Sequence, residues 1–191
     1  YHVFSRGNNR QLTFESDSDR RLFLRILARV VEIHGWLCHA YCLMGNHYHL
    51  LIETPNANLS MGMRDLNGIY TKKYNYYHNK IGHLFQGRFY SSIIDEDAYL
   101  LEAARYIVLN PVRANMASYP EEWKWSSYSG TAGLIRPIRF LKYKELLHYF
   151  DNNIQTARTQ YAHFVSEGVG KVSPFLKNHN HPFCTGSLLH A

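Results

Sequence analysis

Residues 44–53 read MGNHYHLLIE, with two histidines two positions apart. Side chains alternate between faces along a β-strand, so His47 and His49 share one face while Tyr48, Leu50 and Ile52 share the other. Two imidazoles placed this way can reach a single divalent cation. The same spacing also suits two solvated histidines on the wet face of a strand, and H-x-H alone favours that plainer reading.

A second constellation lies in RYIVLNP, where Tyr106 and Asn110 stand four apart on one helical face. A tyrosine hydroxyl, with a reference pKa of about 10, is a poor nucleophile at neutral pH. Its attack on phosphorus needs a nearby cation to stabilise charge on the phosphate. An amide oxygen one turn away could be a third metal ligand. Two histidines, one amide, water and phosphate oxygens form a mixed nitrogen and oxygen site suited to Mg²⁺ or Mn²⁺. The plainer alternatives are an aromatic packing residue at Tyr106 and a helix cap at Asn110 before Pro111. Tyr99 shares roughly the face of Tyr106, but the residue one turn later is Ala103, which cannot bind metal. His179 and His181 repeat the H-x-H spacing with Cys184 nearby, in a pattern-poor tail that reads as solvated.

These residues need elements to hold them. Residues 1–6 read as a strand, and RGNNR as the turn that ends it. A cap among residues 16–19 opens a helix with Leu22, Phe23, Ile26, Leu27, Val30 and Val31 on one face and Arg21, Arg25 and Arg29 on a solvated one; Gly35 closes it. Residues 36–53 read as a β-hairpin turning at Gly45-Asn46. A second helix spans about 60–78, with Met63, Leu66, Ile69 or Tyr70, Tyr74 and Tyr77 inward and Lys72 and Lys73 outward. HLFQGRFYSSII supplies a loop and a fourth strand, and DEDAYLLEAARYIVLN a third helix that Pro111 is expected to stop. The order β-α-β-β-α-β matches the ferredoxin-like plan, an α+β fold with an antiparallel sheet covered by helices on one face; the third helix is an addition. Two short helices follow in FLKYKELLHYF and IQTARTQYAHFVSEG, then a loose tail.

Composition bounds the rest. A length of 191 residues suits one domain with a small appendage, and 46% hydrophobic residues suffice for a core. Three cysteines without a C-x-x-C pair argue against a disulfide framework and fit a reducing cytoplasm. No apolar run approaches a membrane span, and no signal peptide is visible. The sequence opens inside a strand without methionine, so residues preceding Tyr1 are expected. A net charge of +6 hints at a polyanionic partner, and the 15 tyrosines offer stacking faces beside basic groups, although packing accounts for most of them.

Together these pieces resemble the single-tyrosine HUH transposases, which carry histidine, hydrophobic residue, histidine on a strand and a tyrosine on a later helix. The branch most similar is that of the REP-associated tyrosine transposases, through YHVFSRGNNR, CLMGNHYHLLIETP, LFQGRFYSSII, RYIVLNPVRANM and WKWSSY in order. The resemblance covers residues 1 to about 130, and implies a catalytic domain over 1–130 followed by a helical extension over 131–191. It implies metal ligands at His47, His49 and Asn110, a nucleophile at Tyr106, and cleavage and rejoining of single-stranded, hairpin-forming DNA from repetitive palindromic elements through a 5′-phosphotyrosine. Arg6, Arg10, Lys72, Lys73, Arg88 and Arg113 are the basic residues that could hold such DNA. The alternatives are a catalytically silent binder of hairpin nucleic acid with the same fold, and a metal-dependent hydrolase that uses water. No membrane partner is expected, and monomer and dimer both stay open.

Overall fold

The computed structural model describes residues 1–95 and 97–172. The elements run β1 (His2–Arg6), α1 (Asp17–His34), β2 (Leu37–Leu43), β3 (His47–Glu53), α2 (Leu59–His78), β4 (Tyr90–Ser92) and α3 (Asp97–Arg113). Three shorter helices follow: α4 (Tyr128–Thr131), α5 (Tyr143–His148) and α6 (Ile154–Ser166). The strands form one antiparallel sheet in the order β2-β3-β1-β4, the expected α+β, ferredoxin-like arrangement.

Strand alternation divides the molecule into two cores. Val3, Tyr48, Leu50 and Ile52 face α1 and α2, whose apolar stripes supply Phe23, Leu27, Val30, Met63, Leu66 and Tyr70. Ala40, Cys42 and Leu51 face the other way, against Ala103, Ala104, Ile107 and Val108 of α3. The helices after residue 130 join this second core through Leu146, Leu147, Ala157, Tyr161 and Val165. α1 begins with a capping box: Asp19 N donates to Ser16 Oγ at 3.2 Å, and Ser16 N donates back to Asp19 Oδ2 at 2.8 Å.

The β2–β3 turn has no left-handed residue, unlike the tightest hairpin turns. Its carbonyls are bonded instead by the loop after β1. Gly7 N donates to Asn46 O at 2.7 Å, and Thr13 N and Phe14 N both donate to Gly45 O at 3.0 Å. Asn46 Nδ2 returns a bond to Arg10 O at 3.2 Å. The loop is folded so tightly that a Cβ on Gly7 would lie 2.1 Å from Gln11 O, and Asn9 and Arg10 take left-handed backbone angles. On the far side, residues 123–127 run along the free edge of β2. Leu43 N donates to Trp125 O, Ser127 N to Tyr41 O, and Trp123 Nε1 to Leu43 O. They cover an edge that would otherwise invite pairing with another chain.

Two expectations change. Pro111 does not stop α3, which continues to Arg113. Proline cannot donate to the carbonyl of residue 107, and Asn110 Nδ2 approaches that oxygen at 3.4 Å in its place. Tyr77 points outward and is 62% exposed, as Ile69 also is in part, whereas Tyr70 and Tyr74 are buried. The inward seat one turn after Tyr74 belongs to His78, whose Nε2 lies 2.9 Å from Asp19 Oδ1 on α1. The histidine and cysteine pattern at 179–184 lies outside the described residues. No helix among the described residues is long and apolar enough to cross a membrane.

α2 contains two glycines in opposite situations. At Gly62 the Trp36 indole rests on the helix backbone, and a Cβ would sit 2.1 Å from Trp36 Cζ2; at Gly68 nothing lies within 4 Å. Overpacking costs about 1–3 kcal/mol and alanine regains ~1 kcal/mol of helix propensity, so Gly62→Ala, with so close a contact, is expected to lose up to about 2 kcal/mol. Gly68→Ala is expected to gain up to about 1 kcal/mol. Urea denaturation of both variants checks the pair, and equal effects would contradict the packing described for Trp36.

Candidate active site

β3 is an interior strand, paired along both edges, with α1 and α2 packed on one face and α3 on the other. His47 and His49 lie on the α3 side of the sheet. Across the β1–β3 pairing, Arg6 stands opposite His47, Phe4 opposite His49, and His2 opposite Leu51. His49 is only 1% exposed, which excludes a solvated pair on a wet face. His47, at the mouth of the strand, is half-buried. The two imidazoles meet edge to face, with centroids 5.1 Å apart.

Each histidine uses its Nδ1 within the protein. His47 Nδ1 lies 2.6 Å from Asn46 Oδ1, an atom that can only accept, so His47 donates from Nδ1. His49 Nδ1 lies 2.9 Å from Nε2 of His2, and those two rings lie nearly coplanar, at 15°, with centroids 5.1 Å apart. Burial, with the Arg6 guanidinium nearby as a smaller cause, pulls the His47 pKa down to about 4. The ring is therefore neutral at ordinary pH, and with Nδ1 donating, the lone pair lies on Nε2.

Tyr106 projects from α3 onto this pair. Its ring meets His49 and His2 edge-on, at centroid distances of 5.7 and 5.8 Å, and only 5% of the residue is exposed. Arg113, two turns later, folds back over it: Cζ lies 5.2 Å from the tyrosine ring centroid, and Nη1 donates to Tyr106 O at 3.1 Å. Asn110 Nδ2 donates to the same carbonyl at 2.9 Å. That leaves the amide oxygen Oδ1 as the atom through which Asn110 could ligate a metal.

The donor chemistry suits a hard to borderline cation. Among the described residues no group of three or more His, Cys, Asp or Glu could hold a metal. Two imidazoles and an amide oxygen are a mixed nitrogen and oxygen donor set for which Mg²⁺ and Mn²⁺ are matching ions.

The structure brings His47, His49 and Tyr106 together and places Asn110 one turn beyond Tyr106. The candidate DNA contacts are more scattered. Arg6 lies on the site's face, with Nε and Nη2 bonded to Gln86 Oε1 at 3.3 and 3.0 Å. Arg113 is half-buried against Tyr106 rather than displayed on the surface. Arg10 and Arg88 are exposed in the loops that flank β1 and β4. Lys72 and Lys73 are exposed on α2, which covers the opposite sheet face, so they do not reach the histidines. Tyr99 is half-buried two turns before Tyr106. The sequence reading missed His2 and Asn46, although both sit inside the quoted motifs. The signal for His2 was its alternation with Phe4 and Arg6 on a strand that the ferredoxin-like plan sets beside β3.

Among solved structures, one described as a REP-associated tyrosine transposase bound to a REP hairpin superposes with a TM-score of 0.56 at 17% identity, covering 69% of this chain and 78% of that one. That likeness shows a shared fold. No curated protein matches the chain. Residues 1–110 match the family model described as IS200-like transposase, a span that reaches from β1 through Asn110. The chain belongs to the IS200-like transposase family.

Proposed function

We propose that this transposase cleaves and rejoins single-stranded, hairpin-forming DNA, with Tyr106 as nucleophile and His47, His49 and Asn110 as the ligands of Mg²⁺ or Mn²⁺. The observation that carries the reading is the packing of the Tyr106 ring edge-on against His49, beside two strand histidines that each engage Nδ1 within the protein. A hairpin substrate is supported by the solved relative, which is described as bound to one.

In this reading Tyr106 Oη attacks a backbone phosphorus. The new O–P bond forms as the bond from phosphorus to the 3′-oxygen breaks. The tyrosine loses its proton, and the departing 3′-oxygen gains one. The 5′-phosphate then stays on Tyr106, and a 3′-hydroxyl can reverse the step on the same or another strand with no external energy source. A bound cation would polarise the scissile phosphate and neutralise charge that develops on it. Arg6, beside His47 on the same face, adds a fixed positive charge near the phosphate's approach. Arg113 and Asn110 hold the tyrosine's helical turn in place, so the hydroxyl is positioned before substrate arrives.

Tyr106→Phe removes the attacking oxygen and keeps the ring that packs on His2 and His49. Its thermal midpoint should change little, while cleavage and the covalent adduct should both vanish. Tyr99→Phe should retain both. Labelled single-stranded hairpin DNA with Mn²⁺, run on a denaturing gel, reads the adduct directly. An adduct in Tyr106→Phe that is missing in Tyr99→Phe would reassign the nucleophile. Cleavage by the unmodified protein with no adduct would favour a water-using hydrolase.

The pH behaviour follows from His47. Its folded pKa lies below the ordinary value of about 6.5, so as pH falls the unfolded chain takes up this proton first. The stability contribution of neutral His47 is therefore complete above pH 6.5 and declines as pH falls toward 4. In metal-free protein the His47 ring resonances should titrate with a midpoint near 4. A midpoint near 6.5 would show an imidazole that protons remove from metal binding at mildly acidic pH.

A further inference from the structure

His2 is fully buried on β1, and no step of the proposed reaction uses it. We infer that His2 is a positioning residue that fixes the tautomer of His49, presenting His49 Nε2 to a metal ion. The inference rests on the reading of His49 as a ligand.

A neutral imidazole has one N–H and one lone pair, on opposite sides of the ring. The 2.9 Å contact between His2 Nε2 and His49 Nδ1 therefore has two possible senses. If His49 donates, its Nε2 keeps the lone pair and can ligate. If His2 donates, the hydrogen of His49 sits on Nε2, and that nitrogen is closed to metal. His47 provides the guide, because its Nδ1 faces an oxygen that can only accept, which puts the lone pair on Nε2, the atom that would ligate in the proposed site. The same sense at His49 makes the two histidines equivalent, each donating Nδ1–H into the protein and each keeping Nε2 for the cation. An outer partner of this kind fixes ring orientation and raises ligand basicity.

The fold holds His2 to this role. The β1–β3 register sets it diagonal to His49, the two rings lie nearly coplanar at 15° so that the contact runs along the ring plane, and the Tyr106 ring closes over both. His2 thus touches the proposed ligand and the proposed nucleophile at once.

The test uses full-length, DNA-free protein and Mn²⁺ alone. By isothermal titration, His2→Phe, which fills the space without an acceptor, should weaken Mn²⁺ binding about 10- to 100-fold, whereas His2→Gln, whose amide oxygen can stand near Nε2, should remain within roughly threefold. The ¹⁵N shifts of His49 in the unmodified, metal-free protein should report an Nδ1–H tautomer, a reading that needs no variant to fold. Unchanged Mn²⁺ affinity in a folded His2→Phe, or an Nε2–H tautomer at His49, overturns the inference and leaves His47 and His49 standing as ligands. Absence of Mn²⁺ binding by the unmodified protein overturns the ligand reading itself.

Discussion

Burial of two imidazoles on the covered face of a central strand is the constraint around which this molecule is arranged. A polar group taken from water into a core is destabilising unless its hydrogen bonds are replaced. β3 cannot avoid this burial, because α1 and α2 close one of its faces and α3 closes the other. His49 finds its partner on β1 in His2, and His47 finds its own in the turn residue just before it, Asn46. Both partners engage Nδ1, the nitrogen nearer the backbone, so the bonds that make burial tolerable also fix how each ring is turned. Satisfying the core and preparing a site are the same act here.

The short motifs of the chain are, physically, the two sides of a few contacts. RGNNR and MGNH are distant in sequence, yet the first folds into a tight loop whose amides bond the carbonyls of Gly45 and Asn46. That loop holds the turn from which Asn46 reaches His47. WKWSS lies along the open edge of the hairpin near the same turn, with its backbone bonded to β2 at Tyr41 and Leu43 and the Arg20 guanidinium over the rings of Trp123, Trp125 and Phe14. The hairpin that carries the histidines is therefore fastened at its tip and along its open edge, which limits slippage of register. A slip of one residue would send His47 and His49 into the wrong core.

Much of the fold was legible because periodicity is a strong signal. The order of strands and helices, the hairpin, the inward faces of α1 and the opposite orientation of His47 and Tyr48 all follow from apolar spacing. What could not be read depends on register and on three-dimensional neighbours. Alternation puts His2, Phe4 and Arg6 on one face of β1, but only the observed pairing shows that His2 meets His49 and Arg6 stands opposite His47. Tyr77 continues the apolar spacing of α2, yet His78 has taken the inward position through a bond to Asp19, a residue 59 positions away. Charge was the least informative signal: Lys72, Lys73 and Arg113 look alike in sequence, but the lysines lie over the far helical layer and the arginine is packed on Tyr106.

The end of α3 shows how closely the proposed chemistry is bound to helix repair. Pro111 brings no N–H, so the carbonyl of Ile107 lacks its usual donor. Asn110 Nδ2 spans that oxygen and the carbonyl of Tyr106, which Arg113 also bonds. A break at this point would let the turn carrying Tyr106 swing away from the histidines. The same three bonds keep the helix intact to Arg113 and keep the ring seated on His49. They also orient Asn110. An asparagine can offer a cation only its amide oxygen, and the bonds from Nδ2 to the helix fix where that oxygen is held; it is the harder donor that Mg²⁺ or Mn²⁺ prefers beside two imidazoles. Proline at position 111 thus does more than interrupt a pattern: by removing one backbone donor, it leaves a carbonyl for the asparagine to bond and so orients the amide.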